Sequence, residues 1–356
     1  MPTRIDIDLS AVLRNARALA DRSGTRLIPM VKADAYGMGA GPVVRALEAV
    51  DPWGFGVATV TEGEELRALG VHRPVMVFTP LLESELAAAS AARLTPSLGT
   101  AAAIRAWQGL GGPWHLSIDT GMARAGVPWR EVAALREAVT ASPPEGVFTH
   151  FHSAELDNGS MQEQDRLFEE AVTTLGLTQA MIHTDNSAAI LRRGRSSHGA
   201  VRPGIFLYGG ATVAGAAIEP EPVAHLRAQV ADLRSSEPGD TVSYGAAFTA
   251  GRRMRIATLS CGYADGYPRN VGLHGRAGAS VVLHGRRLPI VGRVTMDMIM
   301  IDVTDVECAL GDVVTLIGRD GDELITVAEV GASAGISPYE LLVGMNSRSP
   351  RSYDES

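Results

Sequence analysis

The stretch "RLIPMVKADAYGMG" (residues 26–39) joins a short apolar run to a loop built around two glycines. "RLIPMV" (26–31) reads as a buried strand. Gly37 and Gly39 let the backbone turn tightly after it and approach a ligand closely. Between the strand and the glycines sits Lys32, the only lysine of the 356-residue chain, against 31 arginines. Either residue can supply a solvated positive charge. Arginine stays protonated and forms no imine, whereas a lysine of lowered pKa serves as nucleophile and base. A chain that uses arginine at every other basic position and keeps one lysine here marks that lysine for chemistry. The opposing reading is a surface lysine on an ordinary strand-to-helix loop.

Outward from this stretch the same alternation continues. Candidate strands are "GFGVA" (54–58), "PVMVFT" (74–79), "RLTPS" (93–97), "WHLSID" (114–119), "GVFTHF" (146–151), "QAMIH" (179–183) and "GIFLYG" (204–209). Helix patterns occupy 8–24, 61–70, 100–110 and 163–176. The second of these opens on Thr61 with Glu64 three residues on and closes at Gly70. Eight strands alternating with helices predict a (β/α)8 barrel over residues 9–213. No GxGxxG follows the first strand, which argues against a doubly wound dinucleotide fold. After residue 213 the pattern changes to "RIATLSC", "ASVVLHG", "RLPIVG", "MIMIDVT" and "DVVTLIG", short β-rich runs with one late helix pattern, 326–335. Residues 214–356 therefore read as a mostly β C-terminal domain, with the N-terminal strand 1–8 packing with it.

The bulk properties exclude several function classes. Net charge is −8 and no basic block or basic-aromatic stripe appears, which argues against a nucleic-acid partner. No apolar run reaches the roughly 18 residues of a membrane span. The start, "MPTRIDIDLSAV", lacks the regions of a signal peptide. Cys261 and Cys308 make neither a disulfide framework nor a zinc pattern, so no metal is expected. The expected location is the cytoplasm.

In a barrel the C-terminal strand ends form the site, and the loops after the last two strands often hold a phosphate. Ser187 in "HTDNSAA" (183–189) and Gly204 in "AVRPGIFLYG" (200–209) stand in those loops. Ser187 reads equally well as a helix N-cap, and the two readings are compatible. A lysine across the mouth from a phosphate cradle suggests pyridoxal 5′-phosphate, with phosphosugars and aldolase-type imines as open alternatives.

"VKADAYGMG" resembles the cofactor-lysine signature of the alanine racemase family, commonly VKAxAYGHG. "IDTGMARAGV" (118–127), "THFHSAE" (149–155), "HTDNSAA", "RPGIFLYG" (202–209), "VSYGAAFTA" (242–250), "GYADGYPR" (262–269), "GRVTMDMIMIDVT" (292–304) and "SPYELLVGMNSRSPRSY" (337–353) resemble that family's motifs in order. The resemblance implies a racemase that interconverts L- and D-alanine with pyridoxal phosphate and supplies D-alanine for wall peptidoglycan. It implies that Lys32 carries the cofactor as an imine and is one acid/base group, serving the D-enantiomer. Tyr244 is implied as the other, serving the L-enantiomer and reaching in from a partner subunit of a homodimer. It places Arg202 at the pyridine nitrogen and His150 as a hydrogen-bonded link between Arg202 and Tyr244. The phosphate would fall to Tyr36, Ser187 and Tyr339 by hydroxyl and to Gly204 and Ile205 by backbone N–H. The substrate carboxylate would fall to Arg124 and the Met296 N–H.

Two departures stand out. Many members carry a carbamylated lysine where this chain has Ser117, and a histidine where it has Met38. The first leaves open a broad-spectrum or serine racemase. A related pyridoxal-phosphate decarboxylase predicts an acidic group where Arg202 stands, and a non-catalytic carrier of the cofactor leaves Tyr244 unexplained.

Overall fold

The computed structural model describes residues 3–272, 278–345 and 348–354. Asn346 and Ser347 of the last motif lie outside the described residues. The eight barrel strands are Arg26–Leu27, Phe55–Val57, Val75–Val77, Thr95–Leu98, His115–Asp119, Gly146–Phe148, Met181–Ile182 and Ala200–Val201. The second through the seventh pair in parallel in chain order, and the eighth pairs in parallel with the first. The two remaining seams have one bridged residue pair each, Met30 with Gly56 and Asn186 with Arg202, with further backbone hydrogen bonds such as Trp53 N–H to Leu27 and Gly199 N–H to Ile182 beside them. The ring is thus complete but thin at two places, and both lie beside residues of the expected site. Most of these strands are short and fully buried, as expected where helices cover the outside of a parallel sheet and side chains fill the inside.

One expected strand is not a strand. "GIFLYG" forms a 3-10 turn, Ile205–Tyr208, closed by Gly209 at φ +85°, and the eighth strand lies just before it at Ala200–Val201. All four residues of the turn are buried, so the run carries no periodicity that separates a strand from a buried helical turn. A cap also moves. The helix after the second strand, Val60–Ala68, opens on a capping box of Thr59 and Glu62 rather than Thr61 and Glu64. Asp8, Thr100 and Thr326 cap the helices that follow them by accepting from the backbone.

The second sheet is organised by the 13-residue strand Ala224–Ser236. Thr3–Asp8 pairs antiparallel with it and parallel with Arg351–Asp354. The chain start therefore crosses into the C-terminal sheet before the first barrel helix begins. From that sheet the chain returns to the barrel: helix Pro338–Gly344 brings Tyr339 to the mouth, and Arg351 pairs with Asp34 at 2.6 Å.

Inside the barrel two fully buried histidines form a polar spine. His115 Nδ1 lies 2.7 Å from His183 Nε2, and His183 Nδ1 lies 3.0 Å from Arg202 Nη1. Arginine is a donor only, which fixes the tautomers: His183 accepts at Nδ1 and donates from Nε2, and His115 accepts at Nδ1. His115 Nε2 then points its proton toward Glu145, 3.6 Å away. Phe148 stacks on His183 at 5.0 Å, and burial holds both histidines below the free imidazole value of 6.5. The unfolded chain takes up those protons first as pH falls, so their contribution to stability is complete above pH 6.5 and is lost below it. The urea midpoint is expected to drop between about pH 7.5 and about pH 5, each histidine contributing up to about 1.4 kcal/mol per pH unit. Replacing both by phenylalanine should reduce that slope, leaving the part due to the other buried histidines, His150, His198 and His225. A midpoint that is constant or rises toward acid would contradict a neutral spine.

Candidate active site

Lys32 stands at the start of a helical turn of the wrong hand. Ala33, Asp34, Ala35 and Tyr36 all have φ between 53° and 55°, the left-handed region. For residues with a Cβ this costs roughly 1–2 kcal/mol each, so neighbours must hold it. Within the turn, Ala35 N–H donates to the Val31 carbonyl and Gly37 N–H to that of Ala33, both at 2.9 Å. From outside it, Glu62 Oε1 accepts from Ala33 N–H at 2.8 Å, and Asp34 Oδ1 accepts from Ala40 N–H at 2.7 Å. Gly37, at φ +85°, leaves room for the Leu342 carbonyl, which a Cβ would approach to 2.5 Å. The Lys32 amine is pushed down from its ordinary 10.5 by burial and by the Arg124 charge, with Glu62 opposing. Burial, with the charges of Arg202, Arg124 and Lys32, brings neighbouring His150 down to about 3, so its ring is neutral.

Opposite Lys32, Ser187 Oγ accepts from Gly204 N–H at 2.9 Å. The helix cap there is Asn186, which accepts from Ala189 N–H at 3.0 Å and leaves the Ser187 hydroxyl to the loop. The Tyr36 ring stacks on Tyr208 at 4.8 Å and lies 6.0 Å from that of Tyr339. A Cβ on Gly204 would come within 2.7 Å of Tyr36 Oη, so only glycine lets the two approach. Arg202 is 3% exposed and donates to His183, to the Thr149 carbonyl at 2.8 Å and to the Thr184 carbonyl at 3.2 Å. Burial brings its guanidinium down to about 9. Asp185, the nearest acid by charge, is bound by Arg193 at 3.2 Å and by Ser196.

Lys32, Tyr36, Arg124, His150, Ser187, Arg202, Gly204, Ile205 and Tyr339 line one cavity of about 430 Å³, with Met30, Phe78 and Val343 as apolar walls. It combines hydroxyls and N–H groups on one side with three cationic groups around it, a donor set suited to a phosphate and a carboxylate on one flat, part-apolar molecule. These residues fit pyridoxal phosphate.

Two expected site residues are elsewhere. Tyr244 is 72% exposed on the C-terminal domain, beside a separate cavity of about 1,020 Å³. Met296 is 52% exposed and lines neither cavity. The expected link from His150 to Arg202 is also not made among the described residues: the guanidinium is turned to His183 and two carbonyls.

Ser117 opens onto an adjoining space of about 370 Å³, shared with Lys32, Arg124, Asp119 and His150. Asp119 Oδ1 accepts from Gly121 and Ala123 N–H at 2.9 and 3.1 Å and so shapes the loop carrying Arg124. Met38 is fully buried in the main core, where its apolar chain serves as packing. Sequence reasoning gave no role to His183 or Glu62. His183 opens the motif "HTDNSAA", and the T-x-x-E of Thr59 and Glu62 was there to be read.

Comparison with known proteins agrees with this geometry. Residues 7–212 match the alanine racemase N-terminal domain and residues 223–353 its C-terminal domain. The alanine racemase of Symbiobacterium thermophilum is 38% identical over 370 residues, covering 99% of this chain and 97% of its own. The structure of alanine racemase from Bartonella henselae with covalently bound pyridoxal phosphate superposes with a TM-score of 0.90 at 27% identity, covering 99% and 100% of the two chains. That of Bacillus anthracis with bound L-Ala-P gives 0.87 at 31%, covering 99% and 95%. This chain belongs to the alanine racemase family.

Proposed function

We propose that the chain interconverts L- and D-alanine in the cytoplasm as a pyridoxal-phosphate enzyme and a homodimer. The observation that carries this is the convergence on one cavity of the single lysine, a hydroxyl and N–H cradle, and Arg202 without a carboxylate. Bound pyridoxal phosphate supplies the electron sink that stabilises the deprotonated substrate Cα. Lys32 would hold the cofactor by its aldehyde. Tyr36, Ser187, Tyr339, Gly204 and Ile205 would hold its phosphate.

Racemisation needs a proton taken from one face of a flat centre and one given to the other. Lys32 serves the D-side, its amine already lowered by burial and Arg124. Tyr244 of the partner subunit serves the L-side in this proposal. Arg124 and the Met296 N–H orient the substrate carboxylate, the latter again from the partner. Arg202 would present its guanidinium to the ring nitrogen, a poorer proton donor than a carboxylic acid. Less charge delocalised into the ring leaves Cα as the favoured site of reprotonation, which is racemisation rather than transamination. An acidic group at that position, expected of a decarboxylase, is absent among the residues lining the cavity.

One observation favours a wider substrate range: the space beside Ser117 adjoins the cavity and shares Lys32 and Arg124 with it. If it admits larger side chains, kcat/KM for serine should come within a few-fold of that for alanine.

Wild-type protein with pyridoxal phosphate and L-alanine in D2O is expected to lose optical rotation and gain deuterium at Cα. Absence of both would remove the racemase reading. Tyr244→Phe should reduce turnover at least ~100-fold from L-alanine while leaving cofactor binding intact. Full activity of that variant would overturn the two-base assignment. Gly204→Val should weaken cofactor binding at least ~10-fold, read by titration of the visible absorption, because its side chain falls against Tyr36 Oη.

A further inference from the structure

We propose that Glu62 is a positioning residue for Lys32: its carboxylate ties down the backbone next to the lysine and is the acid whose charge faces the amine. This rests on the reading of Lys32 as an acid/base group and adds the element that aims it.

Glu62 uses both oxygens across two loops. Oε1 accepts from Ala33 N–H at 2.8 Å, one residue past Lys32. Oε2 accepts from Ala58 N–H at 2.7 Å and from Thr59 N–H at 3.4 Å, after the second barrel strand. A residue that served only as the helix cap partner needs the Thr59 contact alone. The bond to Ala33 instead lands where the backbone enters its left-handed turn, at the first of four residues with positive φ. It also spans the seam between the first and second strands, where Met30 pairs with Gly56 outside either strand. Carboxylate-to-N–H bonds are charge-assisted and stronger than neutral ones, which suits a strained segment.

The charges around Lys32 are few. Arg124 lowers its proton affinity and Glu62 raises it. From the turn itself, Asp34 is held by Arg351 at 2.6 Å. His150 is neutral, and Arg202 is turned to His183. Loss of the Glu62 charge leaves Arg124 and burial unopposed.

Lys32 is the only lysine, so its titration can be read directly in the full-length chain. The full-length protein, freed of cofactor so that the Lys32 amine is not tied up as an imine, is trace-labelled across pH with an amine-acylating reagent, and the Lys32 peptide is quantified by mass spectrometry, apart from the N-terminal amine. Glu62→Gln should move the labelling midpoint down by about 0.5–1 pH unit. Thr59→Val, which removes the cap hydroxyl and keeps the carboxylate, should lower stability without moving it. Glu62→Asp keeps the charge and shortens the span, so kcat for D-alanine should fall at least ~10-fold with KM nearly unchanged. A Glu62→Gln midpoint that superposes on wild type, or a Glu62→Asp enzyme with wild-type kcat, overturns the proposal. Wild-type protein that exchanges no deuterium would instead defeat the racemase reading and leave the labelling result standing.

Discussion

The left-handed backbone of Ala33–Tyr36 is the constraint on which the site depends. Four such residues together cost several kcal/mol at roughly 1–2 kcal/mol each, so no local preference of this segment produces the turn. It persists because parts far apart in sequence converge on it. Glu62 holds its first N–H, Arg351 holds Asp34, and the Leu342 carbonyl fills the space of the Gly37 side chain. Tyr353 Oη occupies the corresponding space at Gly39. Three of these four groups belong to the C-terminal domain. The C-terminal domain is therefore part of the device that shapes the lysine loop, and the strain ties barrel and sheet into one unit. Lys32 and Tyr36, at the two ends of the turn, both reach the same cavity as a result.

Electrostatics at the opposite wall follows a similar logic. Arg202 is buried without a carboxylate on it, a costly arrangement unless its donors are used. Two carbonyls and the His183 ring take them. The spine then passes polarisation from ring to ring toward Glu145, whose side chain is part-exposed at the far end. A carboxylate directly on Arg202 would cancel the charge in the cavity. One neutral imidazole and two carbonyls satisfy the guanidinium and leave its charge to the cavity that it lines.

How much of this was legible in the sequence depends on the range of the interaction. Strand starts follow from local pattern, and the first seven barrel strands begin within two residues of the expected positions; the helix patterns that start at Asp8, Thr100 and Thr326 each begin on the residue that caps the helix. "GIFLYG" did not, because burial on all sides erases the period that names an element. The Thr61 cap was misplaced by two residues, since two threonines each precede a glutamate three positions on. Composition singled out Lys32, and ordered motifs singled out most residues lining the cavity. Neither carried the left-handed turn, whose cause lies in contacts up to 317 positions away. The histidine spine was equally silent, since a lone histidine carries no sign that another faces it.

The proposed division of the site between two chains is compatible with the same geometry. A ring of strand ends presents its side chains from around one mouth, which suits holding a flat molecule. Attack on both faces of such a molecule needs a second wall over the mouth. The chain's own C-terminal domain contributes Tyr339, Arg351 and Tyr353 to holding the lysine loop, and its Tyr244 lies away from that cavity, 72% exposed. Met296 and Met298, 52% and 48% exposed, share its domain. Exposed large apolar side chains of this kind are surface that water solvates poorly. In the proposed homodimer one such wall closes each mouth. The second proton donor then arrives on a surface that is free because its own domain is already committed to the first.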